Sequence, residues 1–583
     1  MPSSPANFRP KATSFLAAAL VATAFVASAA PARGVTETTY ASVQTEPNSN
    51  LLCKRGVETA VLHDDGTVAV ERKGCAFDVS LPAFLADVHR IEGSGFGQAP
   101  RMFAIRNDSA LLAWGDTRCG LLGNDETAQR YRDTPVDVGL RIVTDVVNGS
   151  WFSIARTGDG GVYTWGLNYE GSLGIGLGFD APNSVACENA YYPVGHAYRV
   201  AAAVARPTQV SLSDIAAVAA DRVTGYAVDR TGDVYEWGLI PIDPDPQPFG
   251  TFDTQPVPRK VQGLPPSIAL VTSLYMKFSL AADGTVHGWG PNVVGNFGDG
   301  TTNPHPTPAR VPGLANVVQI AASGDSPIVA LLDDGTIRYW GGCCYFPGNP
   351  VPRWIRTLPT APEPAAPMYS EARGHYAQAL PPIYRVKGTG GVVLLYGTDG
   401  SLYQFPRSQT EPVFVLLSTR ATPANRLVAV EYHHAAFDHY FVTASSDEIT
   451  KLDAGMFAGW HRTGLAFDAQ RASGRTVDVC RLFSASFGSR SSHFYAADSV
   501  ECIAAKRNGV WTDEGVAFGT LLPDAAGRCP AHSEPIFRLY NGGQGDAPNH
   551  RYVKSLSVRN RMISGGWIAE GRAPLGVAMC MPA

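Results

Sequence analysis

Charge is scarce in this chain, and several common functional signatures are missing. Only 17 % of its 583 residues are charged, with a formal net charge of −5, so the chain has no general attraction for nucleic acid or anionic lipid. Beyond the N-terminal region, no apolar run is long enough to cross a bilayer. The sequence contains no H-E-x-x-H, no P-loop and no G-x-S-x-G elbow. It therefore gives no motif-based case for an enzyme.

The ten cysteines lack the C-x₂-C spacing of a zinc site, and we expect neither a metal nor a cofactor. Their even number indicates disulfides formed in an oxidising compartment. Proximity in sequence suggests pairing of Cys53 with Cys75, whereas the adjacent Cys343 and Cys344 are either bonded to each other or separate. The last four cysteines are expected to pair among themselves: Cys480, Cys502, Cys529 and Cys580.

The N-terminus has the three parts of a secretory signal. Arg9 and Lys11 form a basic region, an apolar stretch covers residues 15–26, and small residues suited to cleavage follow at 27–32. An N-terminal anchor is the alternative, but about a dozen apolar residues are too few to span a bilayer. We expect a cleaved signal peptide over residues 1–32 and a mature protein that is secreted or periplasmic.

Glycine (60) and proline (43) are plentiful, and one phrase recurs seven times between residues 58 and 405. Its clearest copy is D-G-T-I-R-Y-W-G at 334–341, a strand, tight turn and strand in which the tryptophan packs between neighbouring sheets. From Trp114 to Trp340 the tryptophans are spaced by 51, 72, 52 and 51 residues. A period near 50 with about four strands predicts the blades of a β-propeller, with an open solenoid as the competing geometry.

Over roughly residues 50–415 the chain resembles the repeat of the regulator of chromosome condensation family. The elements of the resemblance are, in order, a strand, D-G-x-V-x-x-W-G, G-x-L-G and P-x-x-V. That resemblance implies a seven-bladed propeller. The Gly-His pair common in the family is missing, and blades one, two and seven are degenerate. With the signal peptide, these departures argue against the nuclear exchange-factor activity of the founding member.

Three insertions follow the strand that ends in Trp-Gly, at residues 167–200, 239–252 and 341–377. Because they leave the same strand, they should emerge on one face of the propeller. Aromatic residues on loops above a rigid scaffold are typical of binding surfaces, although they could instead pack on the disk. The candidate binding residues are Tyr191, Tyr192, His196, Tyr198, Phe249, Tyr345, Phe346 and Trp354.

The C-terminal region has a threefold repeat of its own. Blocks at 438–441, 492–495 and 549–552 correspond through a shared histidine, and W-x-x-x-G recurs at 460, 511 and 567. The three histidines could meet as metal ligands, but a structural role for them is favoured. The segment 428–583 resembles a three-repeat domain of unknown function found at the ends of many bacterial secreted proteins, which implies an accessory or cell-surface binding module.

The prediction is thus a mainly β chain: a signal peptide (1–32), a seven-bladed β-propeller (33–410), a linker (411–427) and a smaller β-rich (α+β) module of three pseudo-repeats (428–583). We predict a secreted, non-catalytic binding protein whose loop-bearing face recognises an extracellular or envelope protein. The alternative is a glycan-binding, adhesive surface module, and a third candidate is a hydrolase hidden in the propeller. Nucleic acid is not expected as a partner.

Overall fold

Seven antiparallel sheets follow one another in sequence order and form the first part of the fold. The first three consist of β1 (Val35–Gln44), β2 (Arg55–His63), β3 (Val68–Lys73), β4 (Val79–Leu85); β5 (Val88–Gly93), β6 (Arg101–Arg106), β7 (Leu111–Asp116), β8 (Tyr131–Asp137); and β9 (Val143–Asn148), β10 (Phe152–Thr157), β11 (Val162–Asn168), β12 (Val185–Ala186), β15 (Ala202–Gln209), with β13 (Pro193–Val194) and β14 (Ala197–Tyr198) as a separate pair. The other four consist of β16 (Ile215–Ala220), β17 (Thr224–Asp229), β18 (Val234–Pro241), β19 (Phe252–Lys260); β20 (Ser267–Ser273), β21 (Met276–Ala281), β22 (Val286–Gly290), β23 (His305–Arg310); β24 (Val317–Ala321), β25 (Pro327–Leu332), β26 (Ile337–Gly341), β27 (Arg356–Thr357); and β28 (Met368–Ser370), β29 (Gly374–Ala377), β30 (Ile383–Thr389), β31 (Val392–Gly397), β32 (Leu402–Phe405), β33 (Phe414–Ser418).

This computed structural model describes residues 35–582 with internal gaps. The gaps are 45–54, 64, 74–78, 95–99, 128–130, 170, 177–184, 187–192, 195–196, 199–201, 242–251, 274, 293–294, 325, 342–355, 358–367, 371–373, 378–379, 390, 406–413, 419–425, 474–475, 488–489, 531–532 and 544–546.

The seven sheets close into a ring. The first strand of each sheet contacts the first strand of the next, in the order β1, β5, β9, β16, β20, β24 and β30, and β30 in turn contacts β1. Each sheet is therefore one blade, and the first strands line the axis. The predicted seven-bladed propeller is confirmed.

The seventh blade extends further along the chain than predicted. Strand β33 pairs with β32, and β28 and β29 add to its outer edge. The apolar run at 414–418, which the sequence analysis placed in a linker, is needed as the fourth strand of this blade. The C-terminal module then begins at Arg426.

The repeated tryptophan joins successive blades, as its pattern predicted. The Trp165 indole Nε1 donates to the Leu121 carbonyl of the preceding blade at 3.0 Å, and Trp237 Nε1 donates to the Ser172 carbonyl at 3.1 Å. Both acceptors lie in the G-x-L-G turn, whose last glycine is close-packed under the same indole: a Cβ on Gly174 would lie 2.6 Å from the Trp237 ring. At these two seams the G-x-L-G turn thus accepts the hydrogen bond of the next blade's tryptophan, whereas the Trp289 and Trp340 Nε1 atoms are buried without a hydrogen-bond partner among the described residues.

A buried arginine fastens the second blade to the third. Arg101 is fully buried, and its guanidinium donates to the carbonyls of Gly149, Ser150 and Phe152 and to the Ser153 Oγ. Burial lowers the pKa of Arg101 to about 9, so the group is still protonated at neutral pH. The cost of desolvating this cation is offset by the four acceptors.

Replacing Arg101 with methionine should lower the free energy of unfolding by about 3 kcal/mol, because three buried carbonyls lose their charged donor. Urea denaturation measures the change. Arg141→Met is the matched control, since Arg141 pairs with Asp137 at the surface with 56 % of its side chain exposed, and its loss should cost under about 1 kcal/mol. Equal losses in the two variants would contradict the role assigned to Arg101.

The C-terminal module contains three units, each with a long strand, a hairpin strand, a helix and a returning segment. They are β34 (Arg426–His434), β35 (His439–Thr443), α1 (Ser446–Asp453), β36 (Trp460–Gln470); β37 (Val477–Phe487), β38 (Arg490–Ala496), α2 (Ser499–Arg507), β39 (Thr512–Thr520); and β40 (Ser533–Tyr540), β41 (His550–Val553), α3 (Leu556–Ser564), β42 (Ile568–Glu570), β43 (Val577–Pro582). Each helix begins at a side-chain cap, from Ser445, Asp498 and Ser555 in turn, as such residues favour.

The three units surround a pseudo-threefold axis. The hairpin strands β35, β38 and β41 contact one another in all three combinations, and so do the returning strands β36, β39 and β43. Disulfides link Cys480 to Cys502 and Cys529 to Cys580, which confirms that the last four cysteines pair among themselves. Within the described part of the chain, we find no helix with the length and apolar character needed to span a membrane.

The module is packed firmly against the propeller. Residues of blades six and seven, such as Val329 and Leu395, share one hydrophobic core with Phe537, Val558 and Trp567 of the third unit. Successive strands in a blade are antiparallel, so the loops between second and third strands all lie on one face, which we call the turn face. The module docks on this turn face through Asp333 and Gly335 of blade six and Thr398 of blade seven.

Candidate functional site

The opposite face of the ring carries the loops between first and second strands and between third and fourth strands. We call it the insertion face, because the three insertions begin after β11, β18 and β26, the third strands of their blades. A cavity of about 340 Å³ lies on the ring axis, lined by the first strands of blades two to seven and by their loops on this face. Its polar wall includes Arg90, Glu92, Asp145, Asn148, Asp221, Arg222, Tyr275 and Lys387.

Hydrogen bonds between blades hold the rim of this cavity. The Ser150 amide donates to the Arg222 carbonyl at 2.9 Å, and Ser273 Oγ donates to the Ser326 carbonyl at 2.9 Å. Thr389 Oγ1 of blade seven reaches Glu92 of blade two at 3.1 Å. Because each bond joins different blades, the rim is preorganised by the ring itself.

The carboxylates that line the cavity already have partners in the protein. Asp221 accepts three hydrogen bonds, from the amides of Val223 and Thr224 and from the Tyr226 hydroxyl. Asp145 pairs with Arg90 at 2.6 Å, and Glu92 accepts from Thr389. These carboxylates therefore help to hold the lining residues in position.

The hydrogen-bond donors that line the cavity include the side chains of Arg222 and Asn148. The Arg222 guanidinium lies 5.5 Å from the ring centroid of Tyr275 and donates to the Tyr275 hydroxyl at 3.4 Å. Asn148 Oδ1 accepts from Ser153 Oγ at 2.9 Å, while Asn148 Nδ2 is buried and has no hydrogen-bond partner among the described residues. The cavity lining thus combines cationic and anionic side chains with one amide donor that has no hydrogen-bond partner among the described residues.

A second set of charged residues repeats around the axis of the C-terminal module. Arg481 is held by both oxygens of Glu448 from the preceding helix and by Glu514, which also contacts His493. The hydrogen bond from His493 is the main cause that lowers the pKa of Glu514. The carboxylates here are kept ionised, which suits interunit bonding and not proton donation.

The next interface repeats the same arrangement. Arg538 is clamped by Glu501 from helix α2 and contacts Glu570, which also contacts His550. Burial alone would raise the pKa of Glu570, but the His550 hydrogen bond and Arg538 lower it overall.

Strand register corrects the alignment of the first unit. The residue after each unit's tryptophan faces His433, Phe483 and Tyr540 in turn, and across the hairpin these face Tyr440, His493 and His550. The counterpart of His493 and His550 is therefore Tyr440, not His439. The sequence alignment matched His439 to the other two histidines because the residue type is the same, but the hairpin register places His439 one position earlier. The three histidines are therefore not related by the pseudo-threefold axis.

Family models match both parts of this architecture. The model described as regulator of chromosome condensation (RCC1) repeat matches residues 143–172 and 283–330, and the model described as domain of unknown function (DUF5648) matches residues 428–577. The chain carries RCC1 repeats and a DUF5648 domain. Both resemblances seen in the sequence are thereby confirmed.

The curated relatives are similar over part of the chain. Protein pim1 of Schizosaccharomyces pombe is 26 % identical over 261 residues, covering 41 % of this chain and 44 % of that protein. The ultraviolet-B receptor UVR8 of Arabidopsis thaliana is 24 % identical over 275 residues, covering 46 % and 57 %. The chain thus spans about half the length of these relatives. Among solved structures, human WBSCR16 is 19 % identical with a TM-score of 0.39, covering 53 % of this chain and 81 % of that one.

Most of the predicted binding residues lie outside the described part of the RCC1 propeller. Tyr198 ends the short strand β14, which pairs with β13, so the third-blade insertion contains a small hairpin. The axial cavity was missed because its residues come from the first strands, which carry no repeated phrase. The residues outside the described ranges are Tyr191, Tyr192, His196, Phe249, Tyr345, Phe346 and Trp354.

The DUF5648 domain contains a histidine that should make stability depend on pH. His439 is fully buried; its Nδ1 donates to the Ser491 carbonyl at 2.6 Å, and its Nε2 is buried without a hydrogen-bond partner in the described residues. Burial lowers the pKa of His439. Below the ordinary histidine pKa of about 6.5, the unfolded chain therefore binds a proton that the folded chain resists, and stability falls as pH falls.

We expect the loss of stability between pH 7 and pH 5 to be smaller in His439→Asn by about 1 kcal/mol, as measured by urea denaturation at both values. The asparagine amide can still donate to Ser491 but does not titrate in this range. His461→Asn is the control, because His461 is exposed on β36 of the same domain. An unchanged pH dependence in His439→Asn would refute the assignment.

Proposed function

We propose that the chain is a non-catalytic binding protein, secreted or periplasmic, that recognises an extracellular or envelope protein with the insertion face of its propeller. Proteins with RCC1-like repeats are typically binding or regulatory proteins. The observation that supports a particular face is the placement of the DUF5648 domain: it covers part of the turn face around blades six and seven. The insertion face is then the face that carries both extra chain and a cavity.

The compartment is part of the same proposal. The Cys480–Cys502 and Cys529–Cys580 disulfides support an oxidising environment, since disulfides are rare in cytosolic proteins. The predicted signal peptide at 1–32 agrees with export. Secretion is tested by expressing the full sequence in a bacterial host and determining the N-terminus of the protein recovered outside the cytoplasm.

Partner binding is tested by immobilising the purified exported protein and passing an envelope extract over it. A shortened variant, in which short glycine-serine linkers replace residues 177–201, 242–251 and 342–355, is tested in parallel. We expect the full chain to retain one protein stoichiometrically and the shortened chain to bind that protein at least tenfold more weakly. Arg141→Gln, on the turn face, is the control and should bind normally.

Two outcomes would overturn the proposal. If the shortened chain binds the same protein as tightly, the DUF5648 domain and not the insertion face is the recognition surface. If only polysaccharide is retained, the glycan-binding interpretation replaces it. Circular dichroism of the shortened variant confirms that its blades are still folded, so that a loss of binding is not a loss of structure.

A further inference from the structure

Helix α2 of the DUF5648 domain exposes apolar side chains on the side that faces away from its own domain. Val500 is 74 % exposed and Ile503 49 %, and residues three apart lie on the same side of a helix. The opposite side is fixed, because Cys502 forms a disulfide with strand β37 and Ala505 packs on the core of the second unit. We call the exposed side the outer surface of α2; it consists of Val500, Ile503, Ala504 and Arg507.

The corresponding surface of helix α3 is a docking surface. Counted from the N-caps of the two helices, Ser557 of α3 corresponds to Val500 of α2. By the same count, Asn560 corresponds to Ile503. Ser557 Oγ donates to the Val317 carbonyl of blade six at 3.1 Å, and Asn560 Nδ2 donates to a carbonyl of blade five at 3.3 Å. The surface that α3 buries against the propeller is therefore the surface that α2 leaves exposed.

Helix α1 shows what a solvated copy of this surface contains. Its residues at the two positions are Asp447 and Thr450, and Asp447 pairs with Lys451 along the helix at 2.6 Å. Such polar groups remain in water at no cost, whereas exposed valine and isoleucine side chains lose free energy there. The apolar outer surface of α2 therefore indicates a contact with another molecule.

The charges at the two ends of α2 select the occupant. Asp498 caps the N-terminus and is exposed, and Arg507 at the C-terminus is exposed and has no ion-pair partner among the described residues. The other two charged side chains of the helix, Glu501 and Lys506, are held in ion pairs within the domain. An acidic N-terminal end, an apolar centre and a basic C-terminal end are complementary to an antiparallel copy of the same helix.

The length of the helix agrees with this pairing. The helix spans Ser499–Arg507, so Ile503 is its midpoint. A twofold axis at Ile503 would pack this side chain against its own copy and bring each Arg507 toward Asp498 of the partner subunit. Antiparallel helices also have opposed macrodipoles, which attract each other.

We propose that α2 pairs antiparallel with the α2 of a second copy of this chain, and that the protein forms a twofold-symmetric dimer through its DUF5648 domain. A single helix of nine residues offers less than the roughly 800 Å² per partner of a standard stable interface. The dimer should therefore dissociate on dilution, with a Kd between about 1 and 100 μM. The proposal does not depend on protein binding at the insertion face, which belongs to the propeller.

Sedimentation velocity of the purified full chain, over a dilution series that brackets this range, tests the proposal. Ile503→Lys brings two like charges together at the axis and should weaken dimerisation at least tenfold. Val257→Lys is the matched control, because Val257 is 50 % exposed on the outer strand β19 of blade four; it should leave the Kd unchanged. A chain that stays monomeric throughout the series, or a dimer that Ile503→Lys leaves intact, overturns the proposal.

Charge substitutions test the antiparallel orientation. Arg507→Glu should weaken the dimer at least tenfold, because it brings a second carboxylate toward Asp498 of the partner subunit. Asp498→Asn keeps a capping side chain and removes its charge. The double variant Arg507→Glu/Asp498→Asn should therefore dimerise at least threefold more tightly than Arg507→Glu alone. Equal affinities of the single and double variants would show that the two residues do not meet, and the antiparallel pairing would be refuted.

Discussion

Replacing Gly464 with alanine is expected to loosen the DUF5648 domain from the propeller and to lower the free energy of unfolding by about 4 kcal/mol. Gly464 has a φ of +87° and lies against the Asp334-Gly335 turn of blade six, where a Cβ would overlap the Gly335 backbone. The approach is equally close from the other side, since a Cβ on Gly335 would lie 2.8 Å from the Gly464 Cα. Neither backbone can move without disturbing the packed core beside it.

The pseudo-threefold symmetry supplies a matched control. Gly515 occupies the same position in the second unit with a φ of +88°, and a Cβ there would meet nothing within 4 Å. Gly515→Ala therefore carries the same backbone strain, about 1–2 kcal/mol, without the clash. Urea denaturation measures both variants, and hydrogen exchange at residues 332–337 reports the local effect on blade six. Equal losses and unchanged exchange would show that the contact with the propeller does not depend on this close approach.

The sequence predicted the blades because their third strands carry the signal. The tryptophan and the G-x-L-G turn are repeated for a physical reason: Trp165 and Trp237 donate to carbonyls of that turn in the preceding blade. A pattern tied to a local contact is visible along the chain. The end of the seventh blade was misplaced because β33 lacks this pattern and is recognised as a strand only by its pairing with β32.

The cavity could not be predicted in the same way. Arg90, Asn148 and Arg222 lie far apart in sequence, and only ring closure brings the first strands together around one axis. Likewise, the choice between His439 and Tyr440 as the counterpart of His493 depends on hairpin register. Local residue patterns do not determine either relation.

The first unit of the DUF5648 domain differs from the other two in a way that docking explains. In the second and third units an arginine on the long strand is clamped by a glutamate from the preceding helix, as in the Arg481–Glu448 pair. The helix that precedes the first unit around the axis is α3, where the clamp position is Val558, buried in the core shared with the propeller. No carboxylate is available there, and the charges are inverted: Glu431 on the strand pairs with Arg551.

Arg551→Met should therefore be among the most damaging substitutions in the domain, at about 3–5 kcal/mol. Glu431 has only 2 % of its side chain exposed and Arg551 10 %, and the guanidinium contacts both Glu431 oxygens at 2.8–2.9 Å. Removal of one partner leaves a buried carboxylate without its counter-charge. The exposed Lys506–Asp513 pair in the same domain is the control, and Lys506→Met should cost under about 1 kcal/mol.

The double variant Glu431→Leu/Arg551→Met decides what the pair contributes. Because the penalty of the single variant comes from the charge left behind, removal of both charges should recover most of the loss and leave the protein within about 2 kcal/mol of the wild type. Urea denaturation of the four proteins gives the coupling energy directly. If the double variant were as unstable as the sum of the singles, the two side chains would act independently. The inversion would then need a cause other than the absence of a clamp carboxylate on α3.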